Sequence, residues 1–375
     1  MKQARSFRRH VLGALATAML AAPIASTSGC SPGWVSSNLV DGLRVLGVTA
    51  DKPYAAPGDE VTFQISYVDG YEEPDGSETD PVQVLWLGGC YNPPGDLYYG
   101  CFPQIAGTFQ KLGPILQAAL EEAQATGQPP KLPPEVTQYI SQGDVFRTPV
   151  PLDIFSERPA PDGGSKYGVM YVFFAVCAGE IRPVELDPSG KAGFFPFGCF
   201  KNGQRLPASR FVPGFTQVYA FEDGRLNQNP AAEGISLDGE KIPATDEVGE
   251  PPKVARCAST PDERRAVGCF AGDPYEGCTE HEIDLIVEPT VAEIDPGEMV
   301  DGKQIFEAVW VDWLAEAGDI TGGGISLVSG VTEGYKGEHS TKWIPPDEPG
   351  LVRVWGVIRD SRGGATVLER YIQVE

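Results

Sequence analysis

The chain has 375 residues with 29 basic against 52 acidic side chains, a formal charge of −23, and it is rich in Gly (45) and Pro (34). So acidic a chain repels nucleic acid and anionic lipid surfaces, and no basic stripe offsets the excess, which excludes nucleic-acid binding. Abundant turn formers and scarce helical stretches favour strands, and the length suffices for two cored domains.

The first thirty residues fall into three zones. A basic start (Lys2, Arg5, Arg8, Arg9) leads into an apolar run from Val11 to Ala22, and the small residues Ser26 to Gly29 then precede Cys30. This is the layout of a secretory signal, with an apolar core too short to span a bilayer as a mature helix. Gly29 and Ser28 before the cysteine resemble a lipobox, where bacterial lipoproteins are diacylated on cysteine and cleaved; Thr27 departs from the Leu usual there. The resemblance implies a removed signal over 1–29, a lipid on Cys30 and a short tether over 30–41. That tether reaches at most about 35 Å from the lipid. Ser31 resembles the outer-membrane sorting pattern. The alternative is ordinary signal-peptidase cleavage with Ser26 and Ser28 as the small residues. Arg8-Arg9 looks like a twin-arginine signal, but a disulfide-bearing chain is poorly served by folding in a reducing cytosol. Loss of residues 1–29 leaves 25 basic against 52 acidic side chains, a formal −27. No later apolar run is long enough for a transmembrane helix. The expected location is the cell envelope, as an outer-membrane lipoprotein on its periplasmic face or the cell surface.

Residues 42–228 read as a first module. Leu43 to Ala50 and the alternating Val61 to Tyr67 flank a Pro57-Gly-Asp-Glu turn, and Gly168 to Val176 makes another strong strand. Residues 229–375 repeat the pattern: Ile283 to Glu288, a Pro296-Gly-Glu turn, the run Ile305 to Trp313, then Leu351 to Ile358, the turn Asp360-Ser-Arg-Gly-Gly and Val367 to Val374. Period-two alternation closed by Gly/Pro turns marks half-buried antiparallel strands. The layout resembles the immunoglobulin-like and PKD-like β-sandwich modules of exported bacterial proteins, and as a whole it looks like two-module envelope lipoproteins. The resemblance implies a mainly β chain of two immunoglobulin-like sandwiches. It says little of function, because such sandwiches serve adhesion, spacing, sugar binding and assembly alike.

Two insertions interrupt the pattern. In 110–142, Ile115, Leu116, Ala119, Leu120 and Ala123 make one apolar helical stripe, and Pro134 starts a second short helix. Because a sandwich does not need this excursion for its core, the insertion is expected to serve recognition and to be removable without unfolding the module; the alternative is that its apolar stripe caps an open edge or end of the sandwich. The other insertion, 246–280, is polar and carries three cysteines. Turn formers between Asp223 and Pro230 mark the link between modules.

In an oxidising compartment the eight cysteines are expected to form disulfides. Cys90 and Cys101 bracket a Pro-Pro-Gly turn, and Cys177 and Cys199 a longer loop. Cys257, Cys269 and Cys278 leave one sulfur over if Cys30 carries lipid; Cys257 and Cys278 are taken as disulfide residues, with connectivity open. Cys257, Cys269, Cys278 and His281 also compose a Cys3His zinc set, which the compartment disfavours. The acidic loop Asp69 to Asp80 offers oxygens for calcium but misses the EF-hand spacing. No metal and no cofactor is therefore expected. Phe194, Phe195 and Phe197 with Tyr98 and Tyr99 form an aromatic set. They read either as a small core under disulfide-closed loops or as a sugar platform or partner hot spot.

Catalytic signals are thin. Neither His281 nor His339 lies in HExxH, there is no GxSxG, and no glycine-rich loop joins a strand to a helix. The expectation is a non-enzymatic lipoprotein that binds or organises envelope proteins or glycans, anchored to the membrane by its lipid. The alternative is a carbohydrate-active enzyme or its carbohydrate-binding accessory, which would need a groove holding two carboxylates about 5–10 Å apart.

Overall fold

The computed structural model describes residues 36–71, 81–126, 131–159, 164–184, 196–244, 249–268, 275–300 and 302–375. The chain is mainly β and builds two sandwiches. In the first, β1 (Leu43–Ala50), β2 (Glu60–Asp69) and β5 (Val145–Pro149) form one sheet in the order β1-β2-β5. β3 (Gln83–Tyr91), β4 (Ile140–Gln142), β6 (Tyr167–Cys177) and β10 (Phe211–Phe221) form the facing sheet, ordered β10-β6-β3-β4. Between β6 and β10 a small sheet of β7 (Glu180–Pro183), β8 (Phe197–Lys201) and β9 (Gln204–Arg205) is inserted.

The second sandwich repeats this plan. β11 (Gly234–Leu237), β12 (Glu240–Lys241), β14 (His281–Ile286), β18 (Asp319–Ile320) and β21 (Thr341–Ile344) run in the order β12-β11-β14-β21-β18. Against them lie β13 (Lys253–Val254), β17 (Val309–Ala315), β19 (Ile325–Gly330), β20 (Gly334–Tyr335), β22 (Gly350–Asp360) and β23 (Ala365–Val374), ordered β13-β23-β22-β17-β19-β20. β15 (Ile294–Val300) and β16 (Lys303–Phe306) make a separate ribbon. In both halves the first, second and fifth main strands face a sheet in which the last two are joined to the third and fourth. That is the immunoglobulin-like Greek-key arrangement.

Alternation accounts for the two cores. In β2, Val61, Phe63 and Ile65 point inward; in β17, Val309, Val311, Trp313 and Ala315 do. Trp86 centres the first core, its ring 5.7 Å from Phe146 and nearly parallel, with the indole N–H donating to Gly143 O at 2.7 Å. Trp313 and Trp343 centre the second, donating to Ser326 Oγ and Ala317 O. Each buried indole thus finds the partner it needs. Three disulfides close loops: Cys90–Cys101, Cys177–Cys199 and Cys257–Cys278. Cys269 and Cys30 lie outside the described residues.

Strand β6 is buried along both faces. Met170, Val172, Phe174 and Val176 enter the main core, while Val169, Tyr171 and Phe173 join Leu85 and Leu87 on the sheet's outer face. That outer face is covered by helix α1 (Phe102–Thr126), through Phe102, Ile105 and Phe109, and by Ile181 and Phe197 of the β7–β8 insertion. The helix therefore belongs to the core, contrary to the expectation of a dispensable excursion. It also begins earlier, and its buried positions include Ile105, Leu112 and Ala119, while Ile115 of the expected stripe is exposed. The sequence reading started the helix after its docking residues. Helix α2 (Pro134–Thr137) begins at Pro134 as expected.

The modules are not beads on a linker. Register slips in β1 between Val45 and Gly47, a bulge that turns Leu46 outward. Leu46 packs with Val40, Val68, Trp355 and Val357 in a core shared by both halves. Gly47 sits where a Cβ would lie 3.2 Å from Val367, so the backbones approach closely. Polar bonds rim this contact: Arg359 Nη2 donates to Leu46 O (2.6 Å), Thr49 Oγ1 to Ala365 O (3.1 Å) and Asn229 Nδ2 to Ala50 O (2.7 Å). Residues 38–40 are pinned as well. Val40 N donates to Ala315 O, Ala315 N to Asn38 O, and Asn38 Nδ2 to Trp313 O.

Candidate functional site

Where the sandwiches meet, β1, β10, β17, β22 and the β22–β23 turn surround a cavity of about 420 Å³, lined among others by Val45, Val48, Phe215, Gln217, Trp310 and Arg359. That volume lies in the range of small-ligand sites. Trp310 is half-buried because Trp310 and Trp313 fall on opposite faces of β17: one fills the core, the other faces the cleft. The cleft's guanidinium, Arg359, is already paired with Asp312 at 2.9 Å.

Phe215 extends the cleft into an aromatic tract. Its ring stacks on Tyr98 at 4.6 Å and 17°, and Tyr99 meets Tyr98 edge-on at 5.8 Å. Tyr98, Tyr99 and Phe215 are 43%, 55% and 42% exposed. The turn carrying the tyrosines is held rigidly. Gly95 and Asp96 take left-handed conformations, and Cys101 is bonded to Cys90. The Asp96 carboxylate accepts two bonds from Arg158 at 2.7 Å and one from Tyr167 Oη at 2.6 Å, while Tyr171 Oη donates to Asp96 O. Burial pushes the Asp96 carboxyl up, but the Arg158 and Tyr167 bonds outweigh it and hold it below the usual range.

The aromatic set read from the sequence is therefore split. Tyr98 and Tyr99 are exposed beside Phe215; Phe197 packs into the outer-face core; Phe194 and Phe195 lie outside the described residues. Phe215, Gln217, Trp310 and Arg359 were not singled out by sequence. The spacing of Trp310 and Trp313 in an alternating strand was the available signal.

A second cavity, about 440 Å³, is acidic and lined among others by Glu233, Glu288, Glu293, Glu307 and Asn229. At its wall the buried Arg362 donates from Nε to Glu307 and from Nη2 to Glu293, both at 2.7 Å. Asp360 accepts from Asn227 Nδ2 and from the backbone of Arg362 and Gly364. This network ties the β22–β23 turn to the segment before β17. Glu293 and Glu307 thus share one guanidinium. Glu307 is 3% exposed. Burial first, then the nearby Asp360, pushes its carboxyl up to about 7 against the pull of Arg362. Its folded pKa lies above the unfolded value of 4.5, so its contribution to stability is fully present below 4.5 and is lost as pH rises through about 7. Glu307→Gln is expected to remove this slope. Melting temperatures measured from pH 4.5 to about 7 should fall less with rising pH in the variant than in the wild type. Equal slopes would show that Glu307 does not titrate there.

The metal candidates resolve differently. Cys257 and Cys278 are bonded to each other, and His281 Nδ1 lies 2.7 Å from Asp238 Oδ2, so the zinc set is not assembled. Asp69, first of the acidic loop, is taken by Arg210 at 2.7 and 2.8 Å; residues 72–80 lie outside the described residues. Among the described residues there is no group of three or more His, Cys, Asp or Glu able to hold a metal. Among them no helix is long and apolar enough to cross a membrane.

No family model and no curated protein matches the chain. Among solved structures, the D00-D0 domain of intimin is 10% identical with a TM-score of 0.20, covering 88% of this chain and 100% of that one. Fibronectin(III)-like modules of Clostridium thermocellum CbhA are 9% identical at 0.18, covering 88% and 93%. Escherichia coli alpha-2-macroglobulin is 9% identical at 0.20, over 92% of this chain and 22% of that one. The sandwich assignment rests on the strand order.

Proposed function

We propose that the protein is a non-enzymatic outer-membrane lipoprotein, attached through Cys30, whose paired modules present the inter-module cleft to protein or glycan partners. The observation that carries this reading is the cleft itself, where the partly exposed Phe215 and Trp310 line one cavity. Aromatic residues lining a concave surface are the type enriched at binding hot spots. Three disulfides fit an oxidising compartment. The pinning of residues 38–40 to the second sandwich shortens the tether, since Cys30 to Asn38 spans at most about 29 Å.

Two measurements test the reading. Cys30→Ser is expected to move the protein to the soluble fraction and abolish acyl labelling; a wild type without lipid by mass spectrometry would remove the anchor. A photo-crosslinking residue at Phe215 should capture envelope protein or glycan in intact cells. The same residue at the exposed Leu351, on the other module, should capture little. Equal capture at both positions would reject the cleft as the binding place.

A further inference from the structure

The free edge of β10 supports a more specific assignment. In the β10–β6 ladder, Ala178 N donates to Arg210 O and Glu222 N to Lys166 O. Antiparallel register alternates, so even-numbered residues of β10 bond inward to β6 and odd-numbered residues turn their N–H and C=O outward. Tyr219 confirms the phase. It pairs outward with the chain's own segment at Tyr54, in parallel, through Tyr219 N to Pro53 O and Ala55 N to Tyr219 O. Beyond that bridge the outward backbone groups of Phe215 and Gln217 have no protein partner among the described residues. Both residues line the inter-module cavity. Gly214 between Pro213 and Phe215 cannot carry a side chain, since a Cβ would lie 2.4 Å from Phe174 Cζ, whose ring lies over it.

We infer that the cleft receives an extended polypeptide segment of the partner, added as a strand to β10 alongside Phe215 and Gln217. This rests on the reading of the cleft as the binding place and names its occupant. Strand addition supplies affinity through main-chain bonds and selectivity through alternate side chains. Pro213 carries no N–H, so the usable edge runs from Pro213 to Gln217, about 13 Å of extended chain. An apolar side chain of the added strand meets Phe215 and Trp310 in the cavity. The chain's formal −23 and the pairing of Arg359 with Asp312 select against acidic segments and for neutral or basic ones. A glycan offers no strand to complete the ladder.

The test uses random peptides displayed on phage, selected on the mature protein and then assayed as free peptides. Gln217→Pro removes one outward N–H without breaking a β10–β6 bond, whereas Gln217→Ala keeps it. Selected peptides should bind the proline variant about tenfold more weakly than the alanine variant, the upper range for one hydrogen bond, since both lose the Gln217 side chain and only the proline loses the N–H. Saturating peptide should slow hydrogen exchange of the Phe215 and Gln217 amides in the wild type, a readout that stands even if the proline variant fails to fold. Selected peptides that leave these amides unprotected, or no peptide enrichment together with glycan binding on an array, would overturn the strand assignment while leaving the cleft as a binding place. Loss of site-selective crosslinking at Phe215 would remove both.

Discussion

Replacing residues 102–126 by a short Gly-Ser loop is expected to unfold the first sandwich. The excision strips Phe102, Ile105 and Phe109 from Leu85, Leu87, Val169, Tyr171 and Phe173 on the outer face of the β10-β6-β3-β4 sheet, leaving Ile181 and Phe197 as partial cover. At about 1.5–3 kcal/mol for each buried large side chain, the loss is on the order of 10 kcal/mol, comparable to the whole stability of a domain. The excised helix also carries Gln104, whose amide brackets Tyr91 through both its N–H and C=O. Thermal melting followed by near-ultraviolet circular dichroism checks this; a variant that melts as the wild type would return the helix to the status of a detachable recognition element.

Trp355→Ala is the second large effect. Trp355 is fully buried between the modules, its indole N–H donating to Glu369 Oε2 at 2.7 Å and Arg353 lying over its ring. Truncating a buried Trp costs about 3–5 kcal/mol, and here the cavity opens in the contact that joins the halves. The variant is expected to show two calorimetric transitions where the wild type shows one, and to lose binding in the cleft although none of its lining residues has changed. A single transition lowered in temperature, with binding intact, would mean that Trp355 stabilises its own sheet without holding the modules together.

Local pattern carried much of the fold. Alternation in Val61 to Tyr67 and in Val309 to Ala315, Gly/Pro turns and the closing hairpin at Asp360 point to sandwiches because each reflects a face of one strand. What local pattern does not carry is the face opposite the core. The unbroken apolar run of β6 announces burial on both sides, yet only the docking of Phe102, Ile105 and Phe109 reveals what covers the second. The same holds for Leu46, which faces the neighbouring module because of a bulge that spacing alone does not mark. The site fared likewise. Tyr98 and Tyr99 were legible as clustered aromatics, whereas Phe215 and Trp310, 95 residues apart in sequence, come to line one cavity only through the packing of one module on the other.

The cleft exists only if that packing locks the modules together. Double electron–electron resonance between spin labels at the exposed Val145 of the first sandwich and Leu351 of the second tests it most directly. One narrow distance distribution in the wild type, broadened by Trp355→Ala, is the predicted result. A broad distribution in the wild type would mean that the modules move independently, and would contradict the account.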